Sequence, residues 1–223
     1  APFQTLRCLD QIKVDLAYSN IKVTMTGLAS GLINGPLGNT HCCIEDVGAL
    51  RSIPNLTILS PADGVGIVKA VFASAESDQP IFIRLTGGSN NPIVYHDDIN
   101  FQIGEAIEIE TGNDLTIFAT GTMVFNSLQA AKILAEKGIS ASVWDMHTIK
   151  PLDEAAVRKA ADKNKLIVTV EEHNVFGGLS SAVSEYLSSY KSSPSQLSIG
   201  INDFFPKPGE YPFMLKQCGL TPE

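Results

Sequence analysis

An α/β fold of two consecutive, mainly parallel sheets with helices on both faces is what this sequence predicts. Short apolar runs of strand length alternate with longer stretches of helical period. Each half of the chain carries its own series of such units. Between the halves, residues 86–98 are rich in Gly, Ser, Asn, Pro and Asp and show no periodicity, as an interdomain linker would. The expected units are residues 1–88 and 101–223, joined by a linker over 89–100.

In the first unit, Leu6, Leu9, Ile12 and Leu16 fall on one helical face. Ile21 to Leu28 reads as a buried strand, with Ile21 to Met25 its most strand-like part. A loop then carries Gly31, Gly35, Pro36 and Gly38, where the backbone can turn sharply and admit a close neighbour. Ile44 to Ile53 reads as a helix stopped by Pro54. Leu56 to Leu59 is a short strand. Ser60 is the expected cap of the next helix, with Pro61 in its first turn and its end near Ala75. Pro80 to Leu85 is a further strand.

The second unit opens on an expected hairpin. Ala106 to Glu110 alternates, Gly112-Asn113 supplies the turn, and Leu115 to Ala119 returns as a buried strand. A helix from Val124 to Glu136 ends at Gly138. Ala141 to Trp144 is a strand, and Pro151-Leu152-Asp153 opens a helix to Ala161. Lys165 to Val170 is a strand ending in Glu171-Glu172-His173, and Phe176-Gly177-Gly178-Leu179 leads into a helix from Ser180 to Leu187.

Composition narrows the function. With 44% apolar residues in 223, a sizeable core can be buried. A formal charge of −8 argues against nucleic acid and anionic membranes as partners. No apolar run approaches membrane-spanning length. Ala1-Pro2-Phe3 has the character of neither a signal nor a transit peptide. Cys8, Cys42, Cys43 and Cys218 follow no metal-ligand spacing and fit a reducing cytoplasm, and no metal site is expected in this chain.

The chemistry concentrates around His41. A strand, a glycine loop and a helix in that order deliver side chains to the rim where open α/β sheets bind ligands. A histidine there suits proton transfer or polarisation of a hydroxyl near neutral pH. Spacing alone leaves the plainer reading ahead, a loop histidine that only packs or bonds locally.

A family resemblance changes that weighting. Gly38-x-Thr40-His41-x-x-Ile44-Glu45-Asp46, followed by Arg51-x-Ile53-Pro54-Asn55, resembles the pyrimidine-domain signature of transketolases and 1-deoxyxylulose-5-phosphate synthases. Ser60-Pro61-Ala62-Asp63 and Pro80 to Leu85 are similar to its next two blocks. Ile149-Lys150-Pro151-Leu152-Asp153 and Val168 to Leu179, with Glu171-Glu172-His173 inside, resemble the transketolase C-terminal domain. The resemblance covers nearly the whole chain, weakly in any one block and strongly in their order.

It implies a thiamin diphosphate pyrimidine domain lacking its first part, followed by a transketolase C-terminal domain. The cofactor would be thiamin diphosphate, with its magnesium held by a separate diphosphate-binding subunit. The chain would also form a homodimer through both domains. The substrate would be a small sugar or sugar phosphate, and the reaction a transfer of two-carbon ketol units. Phe3 falls where the family stacks an aromatic ring on the pyrimidine, Thr40 either caps the helix or touches cofactor, and His41 polarises substrate hydroxyls. Arg84 is a candidate substrate contact or a paired structural cation. Glu171, Glu172 and His173 are expected to be structural, and Asp145 and Lys150 to line surface loops.

Four positions depart from the family pattern. The family glutamate that protonates the pyrimidine belongs to a segment ahead of Ala1. Leu37 stands where the family has an aspartate four residues before the histidine. Ala29 or Ser30 replaces an upstream histidine or arginine, and Gly87 replaces the arginine that grips a sugar phosphate. A phosphate dianion needs such donors, so Lys22, Arg84 and His96 are candidates only by default. Two alternatives remain open: the beta subunit of a 2-oxoacid dehydrogenase decarboxylase, and a non-catalytic assembly or binding fragment.

Overall fold

Residues 2–18 wind into helical turns because their apolar side chains recur on one face, but not into one helix. A computed structural model, which describes residues 1–88 and 90–223, shows α1 (Pro2–Thr5), α2 (Leu9–Gln11) and a π-helical stretch Ile12–Tyr18. Ser89, the first residue of the expected linker, lies outside the described residues. Ile12 and Ala17 are buried against Met25, Leu50 and Phe82.

The first sheet contains β1 (Thr24–Ser30), β2 (Thr57–Leu59) and β3 (Ile81–Thr86), with α3 (Asp46–Arg51) and α4 (Gly64–Glu76) between them. β1 pairs with β3, and β3 with β2, all parallel. The strand expected over Ile21 to Leu28 begins later, and it is not fully buried. It forms the sheet edge, so its side chains alternate between core and solvent, Met25 buried and Leu28 exposed. The expected Ser60 cap is also corrected. Asp63 caps α4, its Oδ1 accepting the Gly66 N–H at 3.0 Å. Ser60 instead donates its backbone N–H to the His147 carbonyl at 2.7 Å.

The second unit supplies β4 (Ile107–Glu110), β5 (Leu115–Ala119), α5 (Met123–Glu136), β6 (Ala141–Asp145), β7 (Thr148–Lys150), α6 (Glu154–Lys163), β8 (Leu166–Asn174), α7 (Leu179–Leu187), β9 (Ser195–Ile201) and α8 (Tyr211–Gln217). Its sheet runs β4-β6-β5-β8-β9. The β4–β5 hairpin does not form, because β4 pairs antiparallel with β6. Gly112 is pressed onto the start of β6, where a Cβ would lie 2.1 Å from the Ala141 carbonyl carbon. The N–H groups of Asn113 and Asp114 donate to the Ser140 carbonyl at 3.0 and 2.8 Å. The connection is thereby carried past β6, and β5 pairs on its other side. Neither β9 nor α8 is anticipated by the sequence pattern. β9 is a partly exposed edge strand without an apolar run.

Each sheet is parallel except for one edge pair, β2–β7 and β4–β6. β7 lies beyond the expected linker yet joins the first sheet, so the two units share a strand. Tyr95 adds a second tie. Its N–H donates to Asp63 Oδ2, and its hydroxyl to Asp145 Oδ2, both at 2.8 Å. Among the described residues no helix is long and apolar enough to cross a membrane.

Candidate active site

The glycine loop leaves the carboxyl end of β1, the rim where parallel sheets present ligands. Its neck is closed by reciprocal hydrogen bonds, Gly31 N–H to the Cys43 carbonyl at 2.7 Å and Cys43 N–H to the Gly31 carbonyl at 2.9 Å. A 3₁₀ turn over Gly35–Leu37 is followed by Gly38 at φ +83°, a conformation that favours glycine. The His41 N–H then donates to the Gly38 carbonyl at 3.0 Å. Cys42 and Cys43 are buried at the neck, and burial pushes their thiols up to about 11 and about 12. They stay protonated at neutral pH and pack rather than react.

At the loop's outer part three sequence-predicted residues meet. His41 is half-buried, and its Nδ1 lies 3.1 Å from the exposed Thr40 hydroxyl. The Phe3 ring stands edge-on to the imidazole, 5.4 Å between centroids, and is 46% exposed. The Arg7 guanidinium covers one face of that phenyl ring at 4.6 Å. Thr40 does not cap the following helix, which begins only at Asp46. The cluster therefore offers an imidazole, a hydroxyl and an aromatic edge on open surface. A groove of about 390 Å³ that none of these three residues lines is formed by Leu6, Glu45, Gly48, Asn174 and Phe176.

Other expected residues are elsewhere. Arg84 is 1% exposed, and its Nε donates to both Asp46 oxygens at 3.0 Å. Its Nη2 donates to the Cys43 and Glu172 carbonyls. Buried and engaged on these partners, the guanidinium cannot reach a substrate at the rim, and the substrate contact expected of it is replaced by a structural role. Lys22 lies 3.6 Å from Asp78 on the surface, and His96 is exposed on the linker. Gly87, at φ +69°, has its Cβ direction filled by Asn91, whose Oδ1 would lie 2.0 Å away. A side chain where the resemblance places the phosphate-gripping arginine would have to displace Asn91 and take up a strained left-handed backbone.

Glu171 is buried and accepts the N–H groups of Leu179 and Ser180 at the start of α7, both at 2.8 Å. His173 Nε2 accepts the Gly48 N–H at 3.2 Å, tying α3 to β8. Asp145 is 1% exposed rather than on a surface loop, and burial raises its carboxyl to about 7. Lys150 is half-buried, with its Nζ held by the Arg51 and Ile53 carbonyls. Sequence reasoning missed Tyr95, Thr122 and Tyr211 as anchors. Tyr95 sat in the linker and Tyr211 in a stretch without periodicity, so neither carried a signal. Asp145, a carboxylate closing an apolar strand, did carry one.

The pyrimidine binding domain of transketolase matches residues 1–91, and the transketolase C-terminal domain matches residues 104–223. The chain belongs to the transketolase family. It is 43% identical, over 189 residues, to one of the subunits of the apulose-4-phosphate transketolase of Phocaeicola vulgatus, covering 84% of this chain and 60% of that one. It is 37% identical, over 221 residues, to a 6-deoxy-6-sulfo-D-fructose transketolase subunit of a Clostridium species, covering 98% and 67%. Among solved structures, a split-gene transketolase described as an inactive beta4 tetramer superposes with a TM-score of 0.88 at 35% identity, covering 99% of this chain and 69% of that one. This transketolase-family chain thus spans 60% to 69% of the length of these relatives.

The residues at the rim fit one edge of a thiamin site. A heteroaromatic ring can pack on Phe3 with a hydroxyl-bearing substrate against His41. Among the described residues no group of three or more His, Cys, Asp or Glu could hold a metal ion.

Proposed function

We propose that this chain is the pyrimidine-binding and C-terminal part of a split transketolase, acting on small hydroxylated ketoses with a separate diphosphate-binding subunit. Residues 1–88 and 101–223 form its two domains, with 89–100 as the linker. The juxtaposition of His41, Thr40 and Phe3 at the carboxyl rim of β1 carries this reading. The names of the relatives support it, since two are called transketolase subunits, and they favour ketol transfer over 2-oxoacid decarboxylation.

Thiamin diphosphate, when bound, supplies the electron sink for breaking and forming the carbon–carbon bond. This chain's part is positional. Phe3 would pack against the cofactor's pyrimidine, and Thr40 would be a second contact to it. His41, its Nδ1 turned to the Thr40 hydroxyl, presents Nε2 to a substrate hydroxyl and holds or returns its proton. Magnesium belongs with the diphosphate on the partner subunit. With Gly87 in place of an arginine, the substrate's far end is recognised by groups other than a bidentate guanidinium.

The relative solved as an inactive beta4 tetramer supports a further point. Alone, this chain self-associates without turnover, through contacts in both domains. The four unpaired thiols support a reducing cytoplasm as its location. The test is to mix the purified chain with a separately encoded diphosphate-binding subunit, thiamin diphosphate and magnesium, and follow ketol transfer between a ketose and an aldehyde. Turnover requiring both chains is expected. Decarboxylation of 2-oxoacids with ketoses ignored would move the assignment to the dehydrogenase class, and cofactor binding without any turnover would leave an assembly role.

A further inference from the structure

Glu172 is fully buried, yet three elements far apart in sequence converge on its carboxylate. Oε1 accepts the N–H of Leu32, the first residue inside the glycine loop, at 2.6 Å. Oε2 accepts the hydroxyls of Thr122, at the head of α5, and Tyr211, at the head of α8, at 2.8 and 2.6 Å. All three groups donate, which partly offsets the burial that raises this carboxyl above the usual carboxylate range. The backbone carbonyl of Glu172 also accepts from Arg84 at 2.9 Å.

Two independent features show that the loop is seated on this carboxylate. Gly31 has φ +76°, and a Cβ there would lie 2.2 Å from Oε1. The far side of the loop is strapped by the segment leading into α8. Gly209 N–H donates to the Gly35 carbonyl at 3.2 Å, Asn39 Nδ2 donates to the Pro206 carbonyl at 2.9 Å, and Gly35 abuts Met214. Tyr211 belongs to the same strap. One carboxylate therefore holds both the root of the loop and the element that covers it.

We propose that Glu172 is the positioning residue for His41, fixing the loop root through Leu32 and the strap through Tyr211. The inference rests on the reading of His41 given above, so its test includes measurements that need no turnover. Hydrogen exchange by mass spectrometry on the purified chain is expected to show Glu172→Ala losing protection in residues 31–43 and 206–217, with β5 and β8 unchanged. The His41 ring resonances are expected to shift while those of exposed His96 stay. Glu172→Gln restores most of the protection, because its amide oxygen still accepts from Leu32 and the hydroxyls can rotate to accept from its NH₂. With the partner subunit, kcat/KM of Glu172→Ala falls roughly tenfold or more, as a misplaced group would cause. Tyr211→Phe, which removes one strap contact, deprotects the same two segments to a smaller degree and carries the test should Glu172→Ala not fold. Protection lost evenly across both sheets, or an unchanged loop and unchanged His41 resonances, would overturn the proposal. A responsive loop in a chain that shows no ketol transfer would leave the positioning role standing and remove the functional one.

Discussion

Asp46 and His41 lie five residues apart and illustrate opposite uses of a polar side chain. Asp46 is fully buried against Arg84, and neither charge can be removed without stranding the other in a low dielectric. Asp46→Ala is expected to cost about 3–5 kcal/mol, read as a lowered urea midpoint. The His41 imidazole meets Thr40 and Phe3 at an open rim, and its backbone hydrogen bonds survive truncation of the side chain, so His41→Ala is expected to leave that midpoint within about 0.5 kcal/mol of wild type. Its effect should appear in kcat/KM of the assembled enzyme, a loss on the order of a hundredfold. A stability loss at His41 matching that at Asp46 would mean the imidazole is structural.

At the scale of elements, glycines decide where the loop and the crossing segment can lie. Gly31 and Gly138 have nearly the same left-handed backbone, φ +76° and +78°, but different surroundings. Gly138 faces open space, so Gly138→Ala should cost only the conformational strain, about 1–2 kcal/mol. Gly31 faces the Glu172 carboxylate at 2.2 Å, so Gly31→Ala adds a collision with a held group. It is expected to lose at least about 1 kcal/mol more than Gly138→Ala, measured by denaturant titration of both variants. The same close approach makes the Gly112 turn a crossing rather than a hairpin, since only a residue without a Cβ can lie on the Ala141 backbone.

Across the whole molecule, the seam between the units titrates. Burial raises Asp145 from 3.8 to about 7, so the folded chain keeps a proton that the unfolded chain has released. Stability from this group falls as pH rises between about 4 and 7. Burial lowers His147 from 6.5 to about 4, so the unfolded chain takes up a proton that the folded chain refuses. Stability from this group rises over about pH 4 to 6.5. The two slopes oppose and nearly cancel. Asp145→Asn removes the first, and its melting temperature is expected to climb between pH 4.5 and 6.5 by about 5 °C more than that of wild type. Parallel profiles in calorimetry would show that Asp145 does not titrate there.

The alternation of strand-length and helix-length runs was enough to determine the fold class and most elements, while His41, Thr40 and Phe3 became a candidate site only through the family resemblance of motifs along the chain. Those features follow from side-chain periodicity and from motifs contiguous in the chain. Only the tertiary structure could decide that β4 skips β5 to pair with β6, that β7 serves the other sheet, that Arg84 belongs to Asp46, and that Glu172 gathers Leu32, Thr122 and Tyr211. Each of these is a partnership between residues distant in sequence. It is settled by which surfaces remain once the sheets have twisted and packed, and local pattern carries no record of that.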